Sequence, residues 1–140
     1  MSVKQISVFI ENRKGRLAEA TRFIAEHNIN LKALSIADTQ DYGILRIICD
    51  DPDAAQKALQ SGGYITITND VLAAAISDTP GSLATILEVL SEANVSVEYT
   101  YAFLSGKSSA YMIFRVDDNQ KAAAALAGAG IKTANEADLF

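Results

Sequence analysis

Apolar Ile6, Val8 and Ile10 alternate with Ser7 and Phe9, the period-two pattern of a strand. From Leu17 the period changes. Leu17, Ala20, Thr21 and Ile24 fall on one face of a helix, with Phe23 and His27 at its border. Asn28 follows, and asparagine tolerates the left-handed conformation that ends a helix. Alternation returns over Ile29–Ala37, and again from Tyr42 or Gly43 to Cys49, with Asp38-Thr39-Gln40-Asp41 as the turn between them. Asp51-Pro52-Asp53 is a strong helix start, a capping aspartate followed by proline at the first helical position. This helix runs to Ser61 with Ala55, Ala58 and Leu59 inward. Gly62-Gly63 stops it, and Tyr64–Thr68 is a closing strand.

The same series then recurs. Val71–Ile76 is a strand, and Asp78-Thr79-Pro80-Gly81-Ser82-Leu83 turns it into a helix with Leu83, Ile86, Leu87 and Leu90 on one face. Gly81 lies 66 residues after Gly15, and so do Leu83 after Leu17, Glu92 after Glu26 and Asn94 after Asn28. With one residue more, Asp118 matches Asp51, Leu126 matches Leu59 and Gly130 matches Gly63. A self-match at one period marks a duplication. The second copy predicts a helix to Ala93, a strand over Val95–Leu104, a turn at Ser105-Gly106-Lys107 and a strand from Ser108 or Ser109 to Val116. Asp118 caps a helix ending at Gly128, Ile131–Asn135 is the last strand, and Glu136–Phe140 is a tail.

Each half therefore reads β-α-β-β-α-β, the split βαβ arrangement. The fold class is α+β: two ferredoxin-like repeats, residues 1–69 and 70–140, with antiparallel sheets carrying helices on one face. Only Asn69-Asp70 separates the halves, so they are expected to pack together or to exchange a terminal strand. Val97, Tyr99, Tyr101 and Phe103 are expected on one side of their strand, and Ala110, Met112, Phe114 and Val116 oppose Tyr111 and Ile113 on the next. Both faces then carry large apolar groups, whereas a lone antiparallel sheet has one polar face. The face away from the helices should be covered by the other repeat or by a second chain.

Composition narrows the functions. The 140 residues carry a net charge of −5 and no basic cluster, which argues against nucleic acid or an anionic membrane as partner. No apolar run approaches membrane-spanning length, and the chain opens directly into a strand pattern without a signal-peptide core. A cytoplasmic protein is expected. Cys49, the one cysteine, excludes an internal disulfide framework and reads as a small buried residue. His27, the one histidine, sits at a helix end with no serine or cysteine partner for catalysis. No His/Cys/Asp cluster has metal-ligand spacing. No cofactor and no enzymatic activity are expected.

Two strands that each run into an Asp/Asn-x-Pro-Gly-x-Leu turn, then a helix ending in Glu-x-Asn-Ile/Val-Asn/Ser, resemble a tandem pair of ACT domains over nearly the whole chain. The first copy departs from the pattern, with Arg13-Lys14-Gly15 where the second has Thr79-Pro80-Gly81. The resemblance implies an amino-acid-binding regulatory module without a catalytic domain, acting on a partner metabolic enzyme. It also implies a ligand at a domain interface, where the loop after the first strand of one domain meets the start of the second strand of its neighbour.

Carried onto this chain, the loop positions are Asn12, Gly15, Arg16 and Leu17, with Asp78, Gly81, Ser82 and Leu83. The strand-start positions are Asn30 and Leu31, with Ser96 and Val97. The residue chemistry agrees: amides around Arg16–Leu17 and Ser82–Leu83 open helices and suit a carboxylate. Asp78, or the amide oxygens of Asn12 and Asn30, suit an α-ammonium. Leu17, Leu31, Leu83 and Val97 would form an apolar wall, and Leu17 and Leu83 would also pack in the core. Asn12 and Asp78 could equally be helix caps. A site joining Asp78–Leu83 to Asn30–Leu31 is favoured. The doubly apolar sheet supports another reading, a ligand-free scaffold that assembles with a partner enzyme, and on either reading a homo-oligomer, most simply a homodimer.

Overall fold

The computed structural model describes residues 2–38, 41–104 and 110–140. Thr39 and Gln40, within the first expected turn, and the Ser105-Gly106-Lys107 turn with Ser108 and Ser109 lie outside the described residues. The elements are β1 (Val3–Glu11), α1 (Arg16–Glu26), β2 (Leu31–Asp38), β3 (Tyr42–Cys49), α2 (Pro52–Ser61) and β4 (Ile65–Ile76). They continue with α3 (Ser82–Glu92), β5 (Val97–Leu104), β6 (Ala110–Val116), α4 (Asn119–Gly128), β7 (Thr133–Ala134) and α5 (Glu136–Leu139). The chain divides into two compact units, Lys4–Asn69 and Asp70–Phe140, the latter joined by the residues up to Val3.

In the first unit the strands run β2-β3-β1-β4, and the registers of β1 on β3 and β2 on β3 are antiparallel. Alternate residues of β1 (Ile6, Val8) and β3 (Leu45, Ile47) meet Ala20 and Ile24 of α1 and Ala55 and Leu59 of α2 in one core. The second unit repeats this around β7-β4-β6-β5. Leu72 and Ala74 of β4 and Phe114 and Val116 of β6 pack on Ile86 and Leu90 of α3 and on Ala122 and Leu126 of α4. Leu59 and Leu126 occupy matching places and are fully buried, each contributing about 2 kcal/mol in transfer terms. The helix ends use the same devices twice. Asn28 and Asn94 take positive φ, 56° and 58°, as the sequence pattern requires.

Four expectations fail. Strands Tyr64–Thr68 and Val71–Ile76 are one strand, β4: Asn69-Asp70 contains neither glycine nor proline to turn the chain, and Arg115 Nη1 and Asn119 Nδ2 both donate to the Asp70 carbonyl, at 3.3 and 3.1 Å. The final strand shrinks to Thr133–Ala134, because Asn135 leaves it to cap α5. Asn135 Oδ1 accepts from the Asp138 amide (3.0 Å) and Asp138 Oδ2 accepts from the Asn135 amide (3.1 Å), a capping box in what reads as a tail. Leu17 is not core: it is 38% exposed.

The fourth concerns Val97. The pairing shifts by one residue between Val97 and Tyr99, so Val97 opposes Val116 on the helix side while Tyr99, Tyr101 and Phe103 oppose Arg115, Ile113 and Tyr111 on the other. A bulge of this kind re-aims every residue beyond it. The first repeat has the same shift, between Leu31 and Ala33. On the far face Phe103 and Ile113 are fully buried within one chain, and the Phe140 ring lies 6.5 Å from that of Phe103.

Candidate functional site

The helix starts fall into two kinds. At α2 and α4 an aspartate caps the helix: Asp51 Oδ1 accepts from Ala54 N and Asp118 Oδ1 from Lys121 N, both at 3.1 Å. At α1 and α3 the residue before the helix is glycine, Gly15 (φ 86°) and Gly81 (φ 87°), and no side chain caps either start. Asn12 and Asp78 are therefore not caps. Nothing lies within 4 Å of where a Cβ would stand at Gly15 or Gly81, so glycine is required there by the backbone angle, not by crowding. The Arg16 and Ser82 amides turn back to Arg13 O (3.2 Å) and Thr79 O (3.3 Å). The next amides, at Leu17–Ala18 and Leu83–Ala84, have no backbone partner outside the helix among the described residues.

The two bends differ in what surrounds those amides. In the first repeat, Glu11 pairs with Arg13 (2.6 Å) and Arg16 (3.9 Å), and Arg16 pairs with Glu19 (2.9 Å). Sixty-six residues on, the same four positions are Ser77, Thr79, Ser82 and Thr85. Four charged side chains that satisfy one another are replaced by four hydroxyls. Ser82 Oγ accepts from the Ser77 amide (3.1 Å), Ser77 Oγ and Thr79 Oγ1 lie 2.9 Å apart, and Thr85 Oγ1 donates to Gly81 O (3.0 Å). These hydroxyls line a cleft of about 660 Å³ between the bend and residues 130–132, which precede β7. The hollow at the first bend, lined by Asn12, Arg13 and Leu17 against Ile36 and Gly43, is about 210 Å³. Only the larger lies in the size range of small-molecule sites.

Of the positions expected from sequence, Gly81 and Ser82 line the larger cleft, and Asn12 and Leu17 the smaller hollow. Asp78 is exposed beside the cleft, with no hydrogen bond or ion pair among the described residues. Gly15 and Arg16 form the first bend, Arg16 held by its two carboxylates. Leu83 and Val97 are half-buried against the second core and Leu31 against the first. Asn30 is exposed, and the Ser96 amide donates to Asp117 Oδ1 at 3.0 Å.

The strand-start residues do not join the bend of their own repeat. Glu11 opposes Tyr42 at one end of β3 and Leu31 opposes Cys49 at the other. Seven steps of strand separate them, roughly 24 Å. In the second repeat Ile76 and Val97 stand at opposite ends of β6. The sequence reading missed Ser77, Thr79, Thr85 and Lys132. The signal that finds three of them is the 66-residue offset itself, applied to polar positions as well as to glycines.

Among the described residues no group of three His, Cys, Asp or Glu could hold a metal, and no helix is long and apolar enough to cross a membrane. His27 ends α1 in the open, its Nδ1 2.8 Å from Phe23 O, and Cys49 is buried. Neither adjoins the cleft.

A duplicated βαββαβ unit with two uncapped glycine bends defines a class of small paired-domain proteins. The family model "ACT domain pair" matches residues 1–140, and the chain belongs to that family. Among solved structures, protein BT0572 from Bacteroides thetaiotaomicron is 38% identical, with a TM-score of 0.91 over 100% of this chain and 96% of its own. The regulatory subunit of aspartate kinase from Thermus thermophilus, in its ligand-free form, is 17% identical (TM-score 0.63; 91% of this chain, 90% of its own). That from Thermus flavus is also 17% identical (TM-score 0.63; 90% and 91%). The two kinase subunits share the fold. No curated protein sequence matches the chain. The ACT pair occupies all 140 residues, and no catalytic domain is evident among them.

Proposed function

We propose that the protein is an amino-acid-binding regulatory module whose working site is the bend of the second repeat. The observation that carries this is the replacement of the Glu11–Arg13–Arg16–Glu19 ion pairs by four hydroxyls around an open cleft at an uncapped helix start. The Leu83 and Ala84 amides take the ligand carboxylate, aided by the helix dipole. Asp78, unpaired and adjacent, takes the ammonium. The first bend, with its charges mutually satisfied, is structural. Residues at the starts of β2 and β5 serve the bend pocket of another domain, since their own is a strand length away.

Binding acts by favouring one domain arrangement over another, and its reach is set by the difference in affinity between them. The controlled partner is a metabolic enzyme, and the setting is the cytoplasm. A thermal-shift screen of the common amino acids tests the reading: at a hundredfold excess over Kd, a ligand adds about 2.7 kcal/mol to stability. Asp78→Asn and Ser82→Arg should each remove the shift that the parent shows. No shift with any amino acid refutes the reading.

A second reading, assembly, has its own observation. The large apolar side chains left exposed among the described residues (Leu17, Leu34, Ile36, Tyr42, Ile65 and Ile67) all belong to the first repeat. On this reading the first repeat docks to a second copy or to the partner enzyme while the second repeat senses. Sedimentation that reports a monomer alone and with the purified enzyme refutes it.

A further inference from the structure

The cleft of the second repeat carries one charged side chain, Lys132, and no carboxylate lines it. Lys132 forms no ion pair among the described residues, and its carbonyl accepts from the Ala75 amide at 2.8 Å, which fixes its backbone at the cleft wall. The duplication supplies the contrast. Allowing for the extra residue in the second copy, the counterpart of Lys132 is Ile65, 69% exposed, in a hollow otherwise lined by Phe9, Ile10, Tyr42, Ile67 and the arginine-paired Glu11. One copy has an apolar hollow with an acid at its rim, and the other has hydroxyls with a free ammonium. A net charge of −5 repels anions at long range, so a cation at the wall is what admits a further negative group.

We infer that the second-repeat cleft selects an amino acid with an acidic side chain, whose second carboxylate is held by Lys132 and the neighbouring hydroxyls. This rests on the cleft being the amino-acid site. The α-carboxylate then lies at the helix start, the α-ammonium at Asp78 and the side-chain carboxylate at Lys132, so each ligand charge meets its opposite.

Isosteric pairs test it. L-aspartate against L-asparagine, and L-glutamate against L-glutamine, are titrated by calorimetry into the whole protein, the parent alongside Lys132→Ile and Lys132→Gln. Lys132→Ile installs the residue of the other repeat at an exposed position, and an unchanged ligand-free melting temperature shows that the fold is kept. The expected result is that the acid binds about fivefold more tightly than its amide, the upper end for an exposed ion pair, and that both variants erase this difference while amide binding remains. The preference should also shrink in raised salt. Equal affinity for acid and amide, or a preference that survives in both variants, overturns the inference and leaves the amino-acid site standing. No binding of any amino acid overturns both.

Discussion

Gly62 and Phe23 give the sharpest test of the packing. A Cβ at Gly62 would lie 2.4 and 2.6 Å from two atoms of the Phe23 ring, where ordinary contact is near 3.5 Å. That ring cannot swing aside cheaply, because the rings of His27 and Tyr64 lie 4.2 and 5.3 Å from its centre. Gly62 has φ −81°, a value any residue adopts, so the objection to alanine is steric alone. Overpacking of this kind costs about 1–3 kcal/mol. Against it, alanine restricts the unfolded chain and returns about 0.4–1 kcal/mol. Gly62→Ala should therefore destabilise by about 1–2 kcal/mol in urea unfolding. The second repeat has already made the exchange: its counterparts are Ala129 and Val89. In a Phe23→Val background, Gly62→Ala should be neutral or stabilising by about 0.5 kcal/mol, a coupling near 2 kcal/mol in a double-mutant cycle. If Gly62→Ala costs the same in both backgrounds, the clash is not the cause and the argument is wrong.

Three further outcomes are expected. Asp51→Ala and Asp118→Ala should each lower stability by about 1 kcal/mol in denaturant titration, because each removes the one side-chain cap of its helix, and neither should change ligand affinity. Gly81→Ala should cost about 1 kcal/mol or more through its left-handed angle despite the open space around it, and Gly15→Ala should cost the same; unequal losses would mean that one bend relaxes. Asn94→Gly should be close to neutral while Asn94→Ala destabilises, measured by melting temperature, since φ 58° is the only demand made there.

What the sequence revealed was whatever acts locally. The Asp51-Pro52 start, the Asn28 and Asn94 ends and the bends at Gly15 and Gly81 each need one residue type at one backbone angle, and each is where the pattern put it. The duplication was legible because those demands recur at a fixed offset. What stayed hidden depends on pairing partners. Alternation alone gave no warning that Val97 and Tyr99 lie on opposite faces, because a bulge is a property of two strands. Nor did Asn135 announce that it would accept from Asp138 instead of continuing β7. At the site, the glycines were visible but the hydroxyls were not, because serine and threonine in a turn are common and gain meaning only beside Glu11, Arg13, Arg16 and Glu19.

The extra residues at the starts of β2 and β5, Lys32 and Glu98, set a rule of parity. Deleting Glu98 would let the ladder run evenly, with Val97 still opposite Val116 and Tyr99 still opposite Arg115, so each would keep its face. Losing a residue beyond the bulge, between Tyr99 and Leu104, would instead transpose every side chain on one side of the gap. Chains descended from this duplication can thus shed the extra residue at the bulge, whereas one lost further along the strand must be restored by a second change.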